Sequence, residues 1–252
     1  MSRVIQERCS LFLAGVLDTR SGPPHAGVVN QPEGKRARRR AEVEQAIPVL
    51  ARRQLAEVGA ASLSVRRIAR DLGMTSSAIY RYVADRDELL TRLIVESYGQ
   101  LNDAARAAHD AAGPQPRARV RAIVEAVRAW ALDHPHDWAL LYGSPVPDYH
   151  APSDRTTGPG TAVSALMLGA LSDAYAAGET VAFPDDADLG EMANDPLLAD
   201  LGLPSGAIAA GITVWLLVLG AVSAEVFGQL GADAPASIAD HAFNTAERLL
   251  FG

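Results

Sequence analysis

A single cysteine, Cys9, in 252 residues excludes an internal disulfide and fits a reducing compartment. A lone thiol so near the N-terminus reads as an ordinary side chain rather than a nucleophile. Aromatic residues are also scarce, at 6%, while alanine and leucine abound, so an all-helical chain is the first expectation. No stretch of strand length alternates apolar and polar residues, and no segment repeats. Neither a Gly-x-Ser-x-Gly elbow nor a phosphate-binding glycine loop is present. The one run with metal-ligand side chains is Asp133-His134-Pro135-His136-Asp137. Pro135 breaks the helix between its histidines and no second cluster supplies further ligands. His134 is well placed against a helix C-terminal dipole without any metal. Neither a metal nor a cofactor is expected.

Long hydrophobic runs are few. Residues 11–17 form a short apolar run with no convincing cleavage pattern before the Pro/Gly-rich stretch 22–34, so 1–34 reads as a poorly ordered extension or an upstream start. Residues 207–224 are uncharged over about the minimum spanning length. They are rich in Ala and Gly, and acids (Asp200, Glu225) flank them with no Lys or Arg nearby, which is poor topology chemistry for a membrane helix. A helix buried on all sides, as at a dimer interface, is the expectation, with no membrane partner.

The net charge of −7 conceals a division. Residues 35–83 carry eleven basic side chains against four acidic ones, net +7, while residues 84–252 carry net −14. A basic module followed by an acidic body implies one polyanion-binding part and one part with another task.

The strongest local pattern lies in the basic module. Val43, Ile47, Leu50, Ala51, Gln54, Leu55 and Val58 recur at helical spacing, and Gly59 ends that helix. Pro48 inside it should kink or restart it. Ser64 is an N-cap for a second helix over Val65–Leu72, with Val65, Ile68, Ala69 and Leu72 inward. Gly73 permits a tight turn. Thr75 then caps a short third helix with Ser76 and Ser77 in its first turn and Ala78, Ile79 and Val83 inward. In a helix-turn-helix, the N-terminal residues of such a helix meet base edges in the major groove. Thr75, Ser76 and Ser77 are placed for bases or phosphates, with Tyr80, Arg81 and Tyr82 reaching the groove wall; the other reading of Tyr80 is simple packing on the second helix. Arg81 has the fork for a bidentate guanine contact. A fourth helix opens with Asp85 as N-cap and Glu88 three residues on; its N–H groups and Arg86 can hold a phosphate. Lys35–Arg40 reads as a flexible basic arm. The candidate DNA contacts are Arg38, Arg39 and Arg40 of the arm, Ser64 and Arg66 at the second helix, and Thr75, Ser76, Ser77, Tyr80, Arg81, Tyr82 and Arg86.

The run SVRRIARDLGMTSSAIYRYVADRDELL, residues 64–90, resembles the DNA-binding domain of the TetR/AcrR family. The matching positions are Ile68-Ala69, Gly73, Tyr80, Arg86 and Asp87-Glu88-Leu89-Leu90. Val83 stands where the family usually has Phe, which leaves less volume in the small core, and Arg86 where it usually has Lys. The resemblance, over about residues 37–93, implies a homodimeric, cytoplasmic repressor on a near-palindromic double-stranded operator, released by a small-molecule effector, with no catalysis.

In the acidic body, helices are expected over 85–108, 117–134, 136–142, 161–177, 204–230 and 235–250, with 143–160 as a Pro/Gly/Asp-rich loop. The last two helices should make the dimer contact, through Gly211, Trp215, Leu219, Gly220, Ser223 and Phe227, because small residues permit close approach and the apolar surplus is costly to expose. By resemblance these helices pair into a four-helix bundle. The segment WALDHPHDWALLYGSPVP, residues 130–147, resembles a WHG-like C-terminal subtype of the family, which implies an effector pocket in this body. Trp130, His134, Trp138, Tyr142, Met167 and Trp215 are its candidate lining; their scarcity of charge favours an apolar or aromatic effector.

The expected architecture is all-α: an extension over 1–34, a three-helix helix-turn-helix domain over 35–84, and a helical effector-binding and dimerisation domain over 85–252. A metal-dependent or other small-molecule enzyme, or a helical interaction protein that does not bind DNA, is the alternative reading.

Overall fold

The computed structural model describes residues 32–231, 233–235 and 237–252. Cys9 and nearly all of the extension expected over 1–34 lie outside the described residues. Residues up to Arg40 and residues Ala41–Gly252 form separate contact units. Of the first, only the opening turns of a helix are described. Every regular element among the described residues is helical.

Helix α1 spans Pro32–Val58. The basic run Lys35–Arg40, expected as a flexible arm, is therefore helical, since Arg and Lys are good helix formers and nothing in the run stops the helix. Nor does the helix restart at Pro48. The proline forfeits one backbone hydrogen bond, to the Glu44 carbonyl. The buried face outweighs that loss: Val43, Ile47, Ala51 and Leu55 are all at most 4% exposed. Gly59, at φ 71°, ends the helix. A single 3-10 turn, Ala60–Ser62, follows.

Helix α2 is Val65–Asp71, and the Ser64 hydroxyl accepts from the Arg67 N–H at 3.3 Å as an N-cap does. Gln54 of α1 is buried against the same corner, where its carbonyl oxygen accepts from the Ser64 N–H at 3.0 Å. Gly73 turns the chain at φ 64° into α3, Ser76–Ile79. Helix α4, Arg86–Ala111, opens on Asp85, whose carboxylate accepts from the Glu88 N–H at 2.8 Å. The first turns of α4 complete the small core of the N-terminal helices α1–α3, expected from the sequence to read DNA and hence termed the reading head, with Leu89, Leu90 and Leu93 packed among Ile68, Ile79 and Val83.

A second core fills the body. Helices α5 (Pro116–Asp133), α6 (Pro135–Tyr142) and α7 (Ser153–Ala177) join α4, and Leu101 and Ala105 carry α4 into this core. Helix α7 begins eight residues before its expected start and runs through Gly158-Pro159-Gly160. Contacts distant in sequence hold that unlikely turn: Asn102 Nδ2 donates to the Pro159 carbonyl at 3.0 Å. A Cβ at Gly160 would lie 3.3 Å from the Tyr98 ring. After a 3-10 turn at Gly190–Asn194 come α8 (Pro196–Ala199), α9 (Ser205–Val226) and α10 (Ser237–Phe251). Helix α9 is long and apolar enough to cross a membrane by length and composition alone. One side of it is packed into the body core through Val214, Val218 and Val222.

Candidate functional site

The site begins with the shortest helix. Four residues cannot hold α3 in place by their own hydrogen bonds. Packing does so instead: Ile79 is 0% exposed and Val83 1%. With that face fixed, Thr75, Ser76, Ser77, Tyr80 and Arg81 are left together on the outside. Thr75 makes no side-chain bond to the helix backbone, and its hydroxyl lies 3.2 Å from that of Ser77. Tyr80 is 43% exposed, so it stands on the surface instead of filling the space against α2. Tyr82 behaves differently: it is half-buried against the reading-head core.

Arginines frame this face. Arg66 and Arg70 of α2 are exposed, as is Arg81, and no hydrogen bond or ion pair engages their side chains among the described residues. Arg67 instead pairs with Glu57, whose carboxyl is held below its usual range by hydrogen bonds from Arg53 and Arg67. Arg38, Arg39 and Arg40 are exposed on α1. Arg86, expected on a phosphate, donates to the carbonyls of Ala60 and Ala61 at 3.2 and 3.1 Å, so it ties α4 to the 3-10 turn. Ser64 is engaged as the cap of α2.

In the body, the six expected pocket residues divide. Trp138 and Met167 are fully buried and Trp130 nearly so. Tyr142 lies against Trp138 with ring centroids 4.5 Å apart, and meets Tyr98 edge-on at 6.1 Å. Burial raises the hydroxyl pKa of both tyrosines. Trp215 packs on the same core. His134 reaches only the edge of this cluster. It is exposed and stacks at 4.9 Å on Trp130, with Nδ1 2.9 Å from the Trp130 carbonyl oxygen, because Pro135 turns the chain at that point. The expected metal run is likewise taken up elsewhere: Asp137 is buried and accepts from Ser97 and from the half-buried Arg52. Among the described residues no three His, Cys, Asp or Glu side chains gather as a metal site. A groove of about 210 Å³ between α5, α9 and α10 was not anticipated; Arg121, Arg128, Asp240 and Glu247 line it above Val124 and Phe243.

The expected dimer residues also divide. Gly211 is buried inside the chain, where a Cβ would come 2.5 Å from Leu168 Cδ2. Ser223 accepts from the Trp138 indole N–H at 3.1 Å. Trp215 and Leu219 pack on the body core. Gly211 and Ser223 thus have partners within the chain, on α7 and α6, while Trp215 and Leu219 are half-buried. Gly220 and Phe227 are exposed, as is their neighbour Leu216 at 62%; the sequence reasoning missed only Leu217, 40% exposed. Its position three residues before Gly220 was the available signal.

Residues 49–93 match the family described as bacterial regulatory proteins, tetR family, and residues 120–248 match the tetracyclin repressor-like C-terminal domain. HTH-type transcriptional regulators of Mycobacterium tuberculosis (Rv1816) and Mycobacterium bovis (Mb1846) are each 47% identical over 208 residues, spanning 79% of this chain and 87% of theirs. The crystal structure of a regulatory protein, SCO4313, superposes with a TM-score of 0.65 at 33% identity, covering 83% of this chain and 97% of its own. A Rhodococcus structure of unknown function shares the fold at 24% identity and a TM-score of 0.64, covering 83% and 96%.

Proposed function

The chain belongs to the TetR family of DNA-binding transcriptional regulators, which are not enzymes, and from that premise we propose that it is a homodimeric repressor released from its operator by a small, largely apolar or aromatic effector. The observation that carries the reading head's part is the exposed face of α3. Its hydroxyls, Tyr80 and Arg81 are presented by a helix whose opposite face is fixed in a core. In this reading Thr75, Ser76, Ser77, Tyr80 and Arg81 contact bases and groove wall, and Arg38, Arg39, Arg40 and Arg66 neutralise phosphates. Ser64, Tyr82 and Arg86 position those contacts.

The dimer uses the outer face of α9 and its neighbour α10. Leu216, Leu217 and Phe227 are apolar and exposed there, with Ile238 and Leu249 on α10, a patch that a soluble monomer rarely presents. Such a pairing accounts for the apolar length of α9 without a membrane, in a protein that works on cytoplasmic DNA. The effector enters among Trp130, Trp138, Tyr142, Met167 and Trp215, where aromatic walls meet few charges. In this reading DNA binding belongs to residues 35–84 and effector binding and dimerisation to 85–252, with the first turns of α4 lending Leu89, Leu90 and Leu93 to the core of the former.

The test is binding of the purified protein to its own upstream intergenic DNA, at two salt concentrations, against unrelated competitor DNA. If about six or more phosphates are neutralised per dimer, affinity falls about 1,000-fold or more between roughly 50 and 200 mM salt. Tyr80→Ala and Arg81→Ala should each weaken binding by about 1–3 kcal/mol while the dimer persists. Salt-insensitive binding, or variants that bind like the parent, would remove the assignment.

A further inference from the structure

The Asp137 carboxylate sits in the body, is only 6% exposed, and has its charge met by an arginine of the reading head. Arg52 of α1 donates through Nε to Asp137 Oδ1 at 3.1 Å, and the Ser97 hydroxyl of α4 donates to the same oxygen. A buried carboxylate is costly unless paired, and a packing role alone would be served as well by an apolar side chain. The next residue, Trp138, points the other way: it is fully buried in the body core and its indole is hydrogen-bonded to Ser223 of α9. One turn of α6 is thus held by both parts of the molecule.

The strap after α6 continues this two-sidedness. A Cβ at Gly143 would lie 2.3 Å from the Ala139 carbonyl oxygen, so only glycine lets the chain leave α6 in this direction. Tyr149, on the strap, packs on the reading-head core and its hydroxyl is 2.9 Å from that of Thr91. Where the strap enters the first turn of α7, Arg155 donates to Glu88 at 2.6 Å. Glu88 also accepts from Arg92, and Arg92 donates to the Tyr82 carbonyl at 2.8 Å, just past the exposed face of α3.

Resting on the reading of the chain as a DNA-binding regulator, we propose that Arg52 and Asp137 pin α6 to the reading head, so that this pair, with the strap to Arg155, carries the coupling between body core and reading head. A displacement of α6 large enough to break the pin leaves the buried Asp137 charge with only Ser97, while Arg52 keeps Glu96 of α4 at 3.3 Å, so the pair resists that displacement. Arg52 and Asp137 are positioning residues; neither touches DNA.

Linkage lets the coupling be read without knowing the effector, because DNA must perturb the body as much as the body perturbs DNA affinity. The three tryptophans, Trp130, Trp138 and Trp215, all lie in the body, so their emission reports only what crosses from the reading head. The probe is a duplex selected by the parent protein from a random-sequence pool. In the parent, tryptophan emission should change along the same titration curve as the anisotropy of the labelled duplex. In Asp137→Asn and Arg52→Met the emission change should be lost, with affinity for the duplex kept within about tenfold. Tyr149→Phe, which deletes one hydroxyl, should diminish the change, and gives a second arm if the pin variants do not fold. An unaltered emission change in the folded pin variants, or in Tyr149→Phe, overturns the proposal, as does a parent that binds the duplex with silent tryptophans. Failure to select any duplex is a different result: it removes the DNA-binding reading and the coupling with it.

Discussion

Replacing Gly211 by alanine should destabilise the folded chain by an amount that does not depend on protein concentration. The added methyl would start 2.5 Å from Leu168 Cδ2 and 3.2 Å from Leu171 Cδ2. Ordinary carbon–carbon contact is about 3.5–4 Å, so the leucines or the helix must give way by about 1 Å. Leu168 is 5% exposed and Leu171 0%, which leaves neither much room. Overpacking of this kind costs about 1–3 kcal/mol, against a gain of about 1 kcal/mol from replacing glycine inside a helix. The net expectation is a loss of about 1 kcal/mol, or about 2–4 °C in Tm for a chain of this size. Gly220→Ala is the control on the same helix. Nothing lies within 4 Å of its added Cβ, so it keeps the propensity gain, and any penalty falls on subunit association. Urea unfolding of both variants at several protein concentrations separates the cases. A Gly211→Ala protein as stable as Gly220→Ala would refute the packing argument, and a concentration-dependent loss would return Gly211 to the interface.

The other predictions concern the reading head and the titrating groups. Ile79→Ala, which empties a fully buried site behind α3, should cost about 2–5 kcal/mol in chemical denaturation and release the exposed face from its fixed setting. Glu88, whose carboxyl is held low by hydrogen bonds first from Arg155 and then from Arg92, contributes stability that is complete above its ordinary value of 4.5 and is lost as the pH falls through its lowered one. Acid unfolding of Glu88→Gln should therefore be shallower than that of the parent. Tyr142, whose hydroxyl is held protonated by burial and by the nearby Tyr98, contributes in the opposite sense. Its share is complete below pH 10.0 and lost as the pH rises beyond that, so Tyr142→Phe should flatten the alkaline limb of a pH–stability curve.

The sequence was most legible where the partners are near in the chain. Ser64 and Arg67, Asp85 and Glu88, and the turns at Gly59 and Gly73 each close within a few residues, and each is built as the pattern implied. The fold class and the reading head follow from those local rules together with the 3.6-residue stripe of α1. Legibility failed where a small or polar side chain answers to something far away. Gly211 and Ser223 look like interface residues on a helical wheel, but their partners, Leu168 and Trp138, are tens of residues distant. Nothing adjacent to Asp137 announces Arg52, and nothing in Gly158-Pro159-Gly160 announces Tyr98 and Asn102 across from it. His134 lies at the exposed edge of the aromatic cluster for a simpler reason: Pro135, besides ending the helix, turns the chain there.

The shared helix α4 bears on how such proteins diversify. Leu89, Leu90 and Leu93 seal the reading-head core, while Leu101 and Ala105, on the same helix, seal that of the body. An exchange of reading heads between relatives that cut the chain near residue 84 would transplant a core without its lid. A junction placed beyond Leu93 carries the lid along, but it must then re-fit Glu88 and Thr91 to a foreign Arg155 and Tyr149. On the proposed reading, point substitutions on the surface of α3 would trade DNA specificity freely, whereas recombination would move the domain that displays it only with difficulty.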